Sequence, residues 1–166
     1  MTTIYLMRHG QSQANVERVF ANGDDGFPLT DDGRIQAKMA ARHLKLRNIR
    51  KIYTSPILRA RETSQIVSSD LGIKSQLLDE IREFHVGELE GQLIQGEAER
   101  AFLELVKSWI DGRIDEKIPN GESHREVIDR FWKAMNTVVR ECPEGEVLAV
   151  SHGGFLSMTL PFVCNG

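Results

Sequence analysis

Three short apolar runs along the chain each end in a polar or glycine-rich cluster. They are Ile4–Met7, Ile49–Tyr53 and Val147–Val150. Apolar runs of this length are typical of buried strands. Because parallel strands end at one edge of an open α/β sheet, where ligands bind, we expect the clusters that follow these strands to meet there. Those clusters are Arg8-His9-Gly10, Thr54-Ser55-Pro56 and Ser151-His152-Gly153.

Segments with a helical repeat of apolar positions lie between the predicted strands. One helix is predicted to have Thr30 as its N-cap and to bury Ile35, Met39, Ala40 and Leu44. A second helix is predicted to begin at Ser55, as N-cap, and to end at Gly72. Residues 97–110 and residues 122–140 are amphipathic. In the second segment, the spacing of the apolar residues puts four of them on one face: Val127, Phe131, Met135 and Val138.

Strands that alternate with helices predict an α/β layered fold with a mainly parallel sheet. The length of 166 residues is that of one domain, and the sequence shows no linker or repeat, so residues 1–166 are predicted to be a single domain. Hydrophobic residues make up 40% and charged residues 27%, which is typical of a globular protein. The net charge of −3 argues against unspecific nucleic-acid binding, which needs a basic surface.

Membrane insertion and secretion are not expected from the sequence. The longest apolar stretch, Phe155–Cys164, is too short to span a bilayer, and the apolar run at the N-terminus is interrupted by Arg8 too early for a signal peptide. Two cysteines, Cys142 and Cys164, are too few for a disulfide framework. We therefore expect a cytoplasmic protein with structural thiols and without a membrane partner.

The polar clusters belong to a longer series of motifs. In chain order these motifs are LMRHGQSQAN, PLTDDGRIQA, YTSPILRARETSQI, LDEIREFHVGELEG, NGES and LAVSHGG. Their order, spacing and residue types resemble the histidine phosphatase superfamily, the phosphoglycerate-mutase-like enzymes, from residue 4 to about residue 156. The resemblance implies a three-layer α/β/α sandwich.

The resemblance also implies the residues of a phosphoryl-transfer site. His9 would be the nucleophile that takes the phosphoryl group as a phosphohistidine, and a neutral imidazole is a good nucleophile near neutral pH. Arg8 and Arg59 would hold the phosphate, because planar guanidinium groups match its oxygens two at a time. His152 would donate a hydrogen bond to the transferring group, with Gly153 beside it.

Two further positions come from the same comparison. Asn15 matches a neutral phosphate donor in relatives, although an Asn at this place equally suits a helix cap. The leaving oxygen needs a general acid, and the family places it four residues before the first glycine of its block, here Gly87, which selects Glu83. On charge alone Glu80 is equivalent to Glu83. The acidic candidates in this block are Asp79, Glu80, Glu83, Glu88 and Glu90.

The remaining histidines and the absence of certain motifs limit the chemistry. His43 is expected at a helix surface, His85 either at the surface or at the mouth of the pocket, and His124 outside the motif positions. The sequence has no H-x-H, no H-E-x-x-H and no P-loop motif, so we expect neither a metal nor a cofactor.

The resemblance implies a phosphomonoesterase that acts on a small phosphorylated metabolite. Two alternatives are a cofactor-dependent phosphoglycerate mutase and a catalytically inactive phosphate-binding module of the same fold. Residues 88–120 are predicted to form a lid that determines the substrate. Only 14 residues follow His152, fewer than in many relatives, so the chain is either a natural short form or truncated, and a truncation would leave an unpaired sheet edge.

Overall fold

Parallel strands form the centre of the molecule in a computed structural model that describes residues 1–23 and 26–163. The strands are β1 Thr2–Arg8, β2 Ile49–Thr54, β3 Ser75–Leu77 and β4 Gly145–Ser151. They lie in the order β1-β4-β2-β3, and each neighbouring pair is parallel. The sequence pattern located β1, β2 and β4. It missed β3, because this strand has three residues, none of them buried, and hence no apolar run.

Helices cover both faces of this sheet. They are α1 Gln13–Glu17, α2 Asp31–Leu44, α3 Leu58–Leu71, α4 Gly96–Ile110, α5 His124–Glu141 and α6 Gly153–Val163. Side chains of α2 and α3 form a core with one face of the sheet, and side chains of α4, α5 and α6 form a core with the other. The three-layer α/β/α fold is therefore confirmed.

The middle of β4 is apolar because it contributes to both cores. Successive residues of a strand point to opposite faces. In β4, Val147 and Ala149 enter the core of α4, α5 and α6, whereas Leu148 and Val150 enter the core of α2 and α3. All four side chains are almost fully buried. This arrangement delivers the ends of β1, β2 and β4 to one edge of the sheet.

The predicted cap of α2 is confirmed, but part of its predicted buried face is wrong. The backbone N–H of Gly33 donates to the Thr30 hydroxyl over 3.0 Å. Ile35 and Met39, which were expected to be buried, are 54% and 63% exposed. The helix lies too close to its neighbours for large side chains, and a Cβ at Gly33 would overlap the carbonyl group of Gln11. The buried face consists of Gly33, Ala37, Ala41 and Leu44.

The start of α3 also differs from the prediction. The helix begins at Leu58 with Ile57 as N-cap, and not at Ser55. Ser55 lies just before the helix, where its hydroxyl accepts a hydrogen bond from the Ile57 N–H over 3.2 Å. The predicted end is confirmed, because Gly72 caps the helix in the left-handed conformation with φ of 71°.

The other amphipathic segments form α4 and α5 close to their predicted bounds. The four apolar side chains predicted to share a face of α5 are all buried. Of the two cysteines, Cys142 is a buried thiol, and Cys164 lies outside the described residues. Within residues 1–23 and 26–163, no helix has the length and apolar character needed to cross a membrane.

Candidate active site

A cleft of about 190 Å³ opens at the carboxyl edge of the sheet. Seven residues were predicted to form the site, and six of them line this cleft: Arg8, His9, Asn15, Arg59, Glu83 and Gly153. The seventh, His152, stands directly behind His9, with 5.1 Å between the centres of the two rings. The fold therefore gathers side chains that are up to 144 positions apart in the chain.

His9 follows β1 and is 6% exposed. Its Nδ1 lies 2.6 Å from the carbonyl oxygen of Gly10. Because a carbonyl oxygen only accepts hydrogen bonds, the ring proton belongs on Nδ1 and the lone pair on Nε2. The Nε of Arg59 donates to that Nε2 over 3.0 Å, which fits the same tautomer. His9 thus presents a neutral imidazole with Nε2 as the nucleophilic atom.

The surroundings of His9 keep its ring uncharged. Burial, and then the positive charges of Arg59 and Arg8, lower the pKa of His9 to about 3, although the hydrogen bond to Gly10 acts in the opposite direction. A charged imidazolium has no lone pair on Nε2 and cannot attack phosphorus. The lowered pKa therefore holds His9 in its nucleophilic form throughout the neutral range.

The two predicted phosphate-binding arginines occupy different environments. Arg59 lies in the first turn of α3 and is 5% exposed. Thr63 supports its position, because the Thr63 hydroxyl donates to the Arg59 carbonyl and accepts from the Gly10 N–H. Arg8 ends β1 and is exposed in the cleft, where its guanidinium lies against Gly153. A Cβ at Gly153 would come within 3.0 Å of the Arg8 Nε, so a residue without a side chain makes room for this arginine.

His152 follows β4 and is fully buried. Its Nε2 lies 2.7 Å from the hydroxyl oxygen of Ser55. This oxygen accepts from the Ile57 N–H and keeps its own proton to donate to His152 Nε2, and with that direction of the bond the His152 proton is on Nδ1. That Nδ1 is buried and has no hydrogen-bond partner among the described residues. The arrangement leaves one N–H of His152 for a ligand.

Ser55 contacts His152, although the sequence analysis placed it only at the ligand-binding edge and as a helix cap, and gave it no role toward a particular residue. The signal for its second role was present, because Ser55 follows a strand end just as His9 and His152 do. What the sequence did not reveal was that β2 lies next to β4 in the sheet, so that Ser55 and His152 meet. Burial, followed by the charge of Arg59, holds the pKa of His152 well below its usual range.

Glu83 is buried at the base of the cleft and at the N-terminus of α6. Its carboxylate accepts hydrogen bonds from the backbone N–H groups of Phe84 over 3.1 Å, Gly154 over 3.0 Å and Phe155 over 2.5 Å. Burial raises the pKa of Glu83, against the opposing effects of these hydrogen bonds and of Arg59. A carboxyl with a raised pKa is suited to donate a proton near neutral pH.

The other acidic residues of this block have different positions. Glu80 pairs with Lys133 over 2.8 Å and does not line the cleft. The hydrogen bond from Lys133 lowers the pKa of Glu80. Glu90 binds the backbone N–H groups of Asn22 and Gly23 and so fixes the loop beyond α1. The tertiary structure thus separates Glu83 from Glu80, which charge alone did not.

Asn15 caps α1 and also lines the cleft, so its position is compatible with both roles that the sequence left open. Its Oδ1 accepts from the N–H of Ser12 over 3.0 Å and from the Ser12 hydroxyl over 3.2 Å, which makes it part of the capping box of α1. The same residue is exposed and lines the cleft. Its Oδ1 is used inside the protein, so the amide NH₂ is the group suited to donate to a phosphate oxygen.

The remaining histidines stand apart from the cleft. His43 and His85 are exposed. His124 is buried, stacks against Trp109 with 5.2 Å between ring centres, and donates from Nε2 to the Met158 carbonyl over 2.7 Å. This hydrogen bond therefore links α5 to α6. The described residues contain no group of three or more His, Cys, Asp or Glu side chains arranged to hold a metal ion.

Comparison with known proteins identifies the family of this chain. The family model of the histidine phosphatase superfamily (branch 1) matches residues 4–164. A protein of Serratia proteamaculans named "Probable phosphoglycerate mutase GpmB" is 35% identical over 154 residues, which are 92% of this chain and 70% of that protein.

Solved structures show the same fold. Bacillus stearothermophilus YhfR is 31% identical with a TM-score of 0.83, and the match covers 95% of this chain and 77% of YhfR. A mycobacterial glucosyl-3-phosphoglycerate phosphatase is 26% identical with a TM-score of 0.75, over 92% of this chain and 74% of the other. The molecule is an α/β protein with two histidines and two arginines gathered at the carboxyl edge of its sheet. The chain belongs to branch 1 of the histidine phosphatase superfamily.

Proposed function

We propose that this protein is a phosphomonoesterase that hydrolyses a small phosphorylated metabolite through a phosphohistidine on His9. The observation that carries the proposal is the state of His9: it is neutral, oriented by Gly10 through Nδ1, and placed with its Nε2 against Arg59 in an open cleft. Solved relatives that include a phosphatase support the same class of reaction.

In the first step a phosphate group enters the cleft and takes over the N–H of Arg59 that now bonds to His9. Arg8, Arg59, the amide NH₂ of Asn15 and the Nδ1–H of His152 are the donors available to its oxygens. The lone pair of His9 Nε2 attacks phosphorus, an N–P bond forms, and the bond from phosphorus to the ester oxygen breaks. Glu83, in its protonated form, gives its proton to the leaving oxygen.

In the second step water attacks the phosphohistidine. The Glu83 carboxylate takes a proton from this water, the new P–O bond forms, and the N–P bond breaks to return the electron pair to Nε2. Inorganic phosphate then leaves. The two steps account for every atom and proton without a metal or an organic cofactor. The arginines supply the positive charge that the transferring group needs.

The names of the curated relatives favour a second candidate, a phosphoglycerate mutase. Glu83 and His152 are 69 positions apart, a short interval for the mutases that the motifs resemble, which hold their substrate while it turns. A phosphatase releases free phosphate without a bisphosphate primer, whereas a mutase interconverts two monophosphates and needs the primer. An inactive binding module would do neither.

The experiment is a phosphate-release assay over a panel of phosphorylated metabolites, combined with trapping of the phosphorylated enzyme by acid quench and mass spectrometry. His9→Ala should lower turnover by at least ~10³-fold, as is usual for loss of a nucleophile. His43→Ala removes an exposed histidine of α2 and is the matched control. Full activity in His9→Ala would overturn the proposal.

A further inference from the structure

Apolar side chains line the cleft beside the phosphate-binding and catalytic groups. Six of them form what we call the apolar wall: Val19, Phe20, Phe84, Val86, Ile94 and Phe102. Phe20, Phe84 and Val86 are core side chains, whereas Val19, Ile94 and Phe102 are half-buried. These three have apolar surface left for the part of a substrate that lies beyond its phosphate.

The apolar wall is a built part of the fold. Residues 18–20 run antiparallel to residues 91–94, with Val19 opposite Leu93. The N–H of Phe20 donates to Gln92 over 2.9 Å, and the N–H of Ile94 donates to Arg18 over 2.6 Å. These backbone hydrogen bonds hold Phe20 and Ile94 on the same side of the cleft.

Phe102 completes the wall from α4. Its ring centre lies 5.2 Å from that of Phe20 and 6.1 Å from that of Phe84, so three aromatic rings pack together beside the cleft. Ring pairs at such distances attract each other beyond their burial. Residues 88–120 were expected from the sequence to determine the substrate. Ile94 and Phe102 are the residues of this segment that line the cleft among the described residues.

The wall offers no positive charge to a substrate. Among the described residues that line the cleft, the arginines are Arg8 and Arg59, both already assigned to the phosphate, and lysine is absent. Arg18, next to Val19, sends its Nη2 to the Ile94 carbonyl over 3.1 Å and to Glu99 over 3.3 Å. A carboxylate that the substrate carries in addition to its phosphate would therefore be desolvated against phenyl rings without a positively charged partner, which is unfavourable.

We propose that the enzyme selects phosphomonoesters of compact, uncharged and mainly apolar or aromatic alcohols, and discriminates against phosphoglycerates. This inference rests on the proposed phosphomonoesterase function. The cleft of about 190 Å³ is smaller than the roughly 300–1,000 Å³ of pockets for drug-sized ligands, so the alcohol must be small. Phe102 and Ile94 are the residues that determine this specificity.

The test compares three phosphate esters of primary alcohols, so that the leaving oxygens are alike: benzyl phosphate, glycerol 3-phosphate and 3-phosphoglycerate. We expect kcat/KM to be highest for benzyl phosphate and at least ~100-fold lower for 3-phosphoglycerate, as for an unpaired polar group in an apolar pocket. Glycerol 3-phosphate, which is polar but has no carboxylate, should lie between them.

Variants of the wall then assign the effect to residues. Phe102→Ala should lower kcat/KM for benzyl phosphate by about 10-fold, mainly through KM, and leave glycerol 3-phosphate nearly unchanged. Ile94→Ala should act in the same direction. It keeps the backbone hydrogen bonds between residues 18–20 and 91–94, so it provides the test if Phe102→Ala folds poorly. Leu103→Ala, 58% exposed on the same helix, is the matched control and should equal the wild type.

Two results would overturn the inference. The first is a wild-type kcat/KM for 3-phosphoglycerate equal to or above that for benzyl phosphate. The second is an equal loss on benzyl phosphate and glycerol 3-phosphate in both wall variants. Failure of the proposed function looks different: none of the three esters releases phosphate, or His9→Ala retains the wild-type rate on all of them.

Discussion

Replacement of Glu83 by Gln tests two roles of one side chain. The carboxylate accepts three backbone N–H groups, two on one oxygen and one, from Gly154, on the other. Glutamine has one acceptor oxygen, so either Gly154 or the pair Phe84 and Phe155 would face an amide NH₂. A buried donor left without an acceptor costs about 1–3 kcal/mol of folding free energy. At the middle of that range the melting temperature should fall by roughly 4–8 °C.

The effect of Glu83→Gln on activity should depend on the leaving group. An amide cannot protonate the ester oxygen, so kcat/KM for an alkyl substrate such as glycerol 3-phosphate should fall by roughly 10²–10⁴-fold. 4-Nitrophenolate leaves almost without a proton, and kcat/KM for 4-nitrophenyl phosphate should fall far less. Slower hydrolysis of the phosphohistidine would lower kcat instead, because kcat/KM reports the steps up to enzyme phosphorylation.

Glu80→Gln is the matched control for this experiment. Glu80 forms an ion pair with the exposed Lys133 outside the cleft, and such pairs contribute about 1 kcal/mol or less. Its kcat/KM should equal the wild-type value on both substrates. Equal losses on alkyl and aryl substrates in Glu83→Gln, or a leaving-group-dependent loss in Glu80→Gln, would refute the assignment of the acid.

Three further predictions follow from the same geometry. Ser55→Ala removes the hydroxyl that orients His152 and should lower kcat by about 10-fold, the equivalent of one hydrogen bond. The measurement is kcat and KM for phosphate esters, and an unchanged kcat would mean that Ser55 does not position His152. Because the pKa of His9 is about 3 when folded and about 6.5 when unfolded, the unfolded chain binds more protons below pH 6.5. The free energy of unfolding should therefore fall as the pH drops, by roughly 2 kcal/mol at pH 5 from this residue. Urea titrations measure this quantity: between pH 7 and pH 5 the wild type should lose roughly 2 kcal/mol more than His9→Asn. Addition of a strong chelator should leave the rate unchanged, and a loss that a divalent cation restores would contradict metal-free catalysis.

The main strands and the positions of the motif residues could be located from the sequence alone. Strand segments buried on both faces form short apolar runs, so the middle of β4 stands out without any knowledge of its neighbours. The placement of His9 and His152 after strand ends predicted that they would meet, and their rings lie 5.1 Å apart. These features depend on local pattern and on the general rule for parallel sheets.

Features that depend on distances between segments became visible only in the folded structure. The buried face of α2 begins with the small residues Gly33, Ala37 and Ala41 because the helix backbone lies close to Gln11, a contact that the hydrophobic repeat does not record. Glu83 differs from Glu80 because its carboxylate reaches the N-terminus of α6, more than 70 positions away. Ser55 meets His152 only through the pairing of β2 with β4, and Phe102 reaches the cleft only through the packing of α4. A sequence lists which groups are present, but burial, partner and charge environment arise only when distant segments pack together.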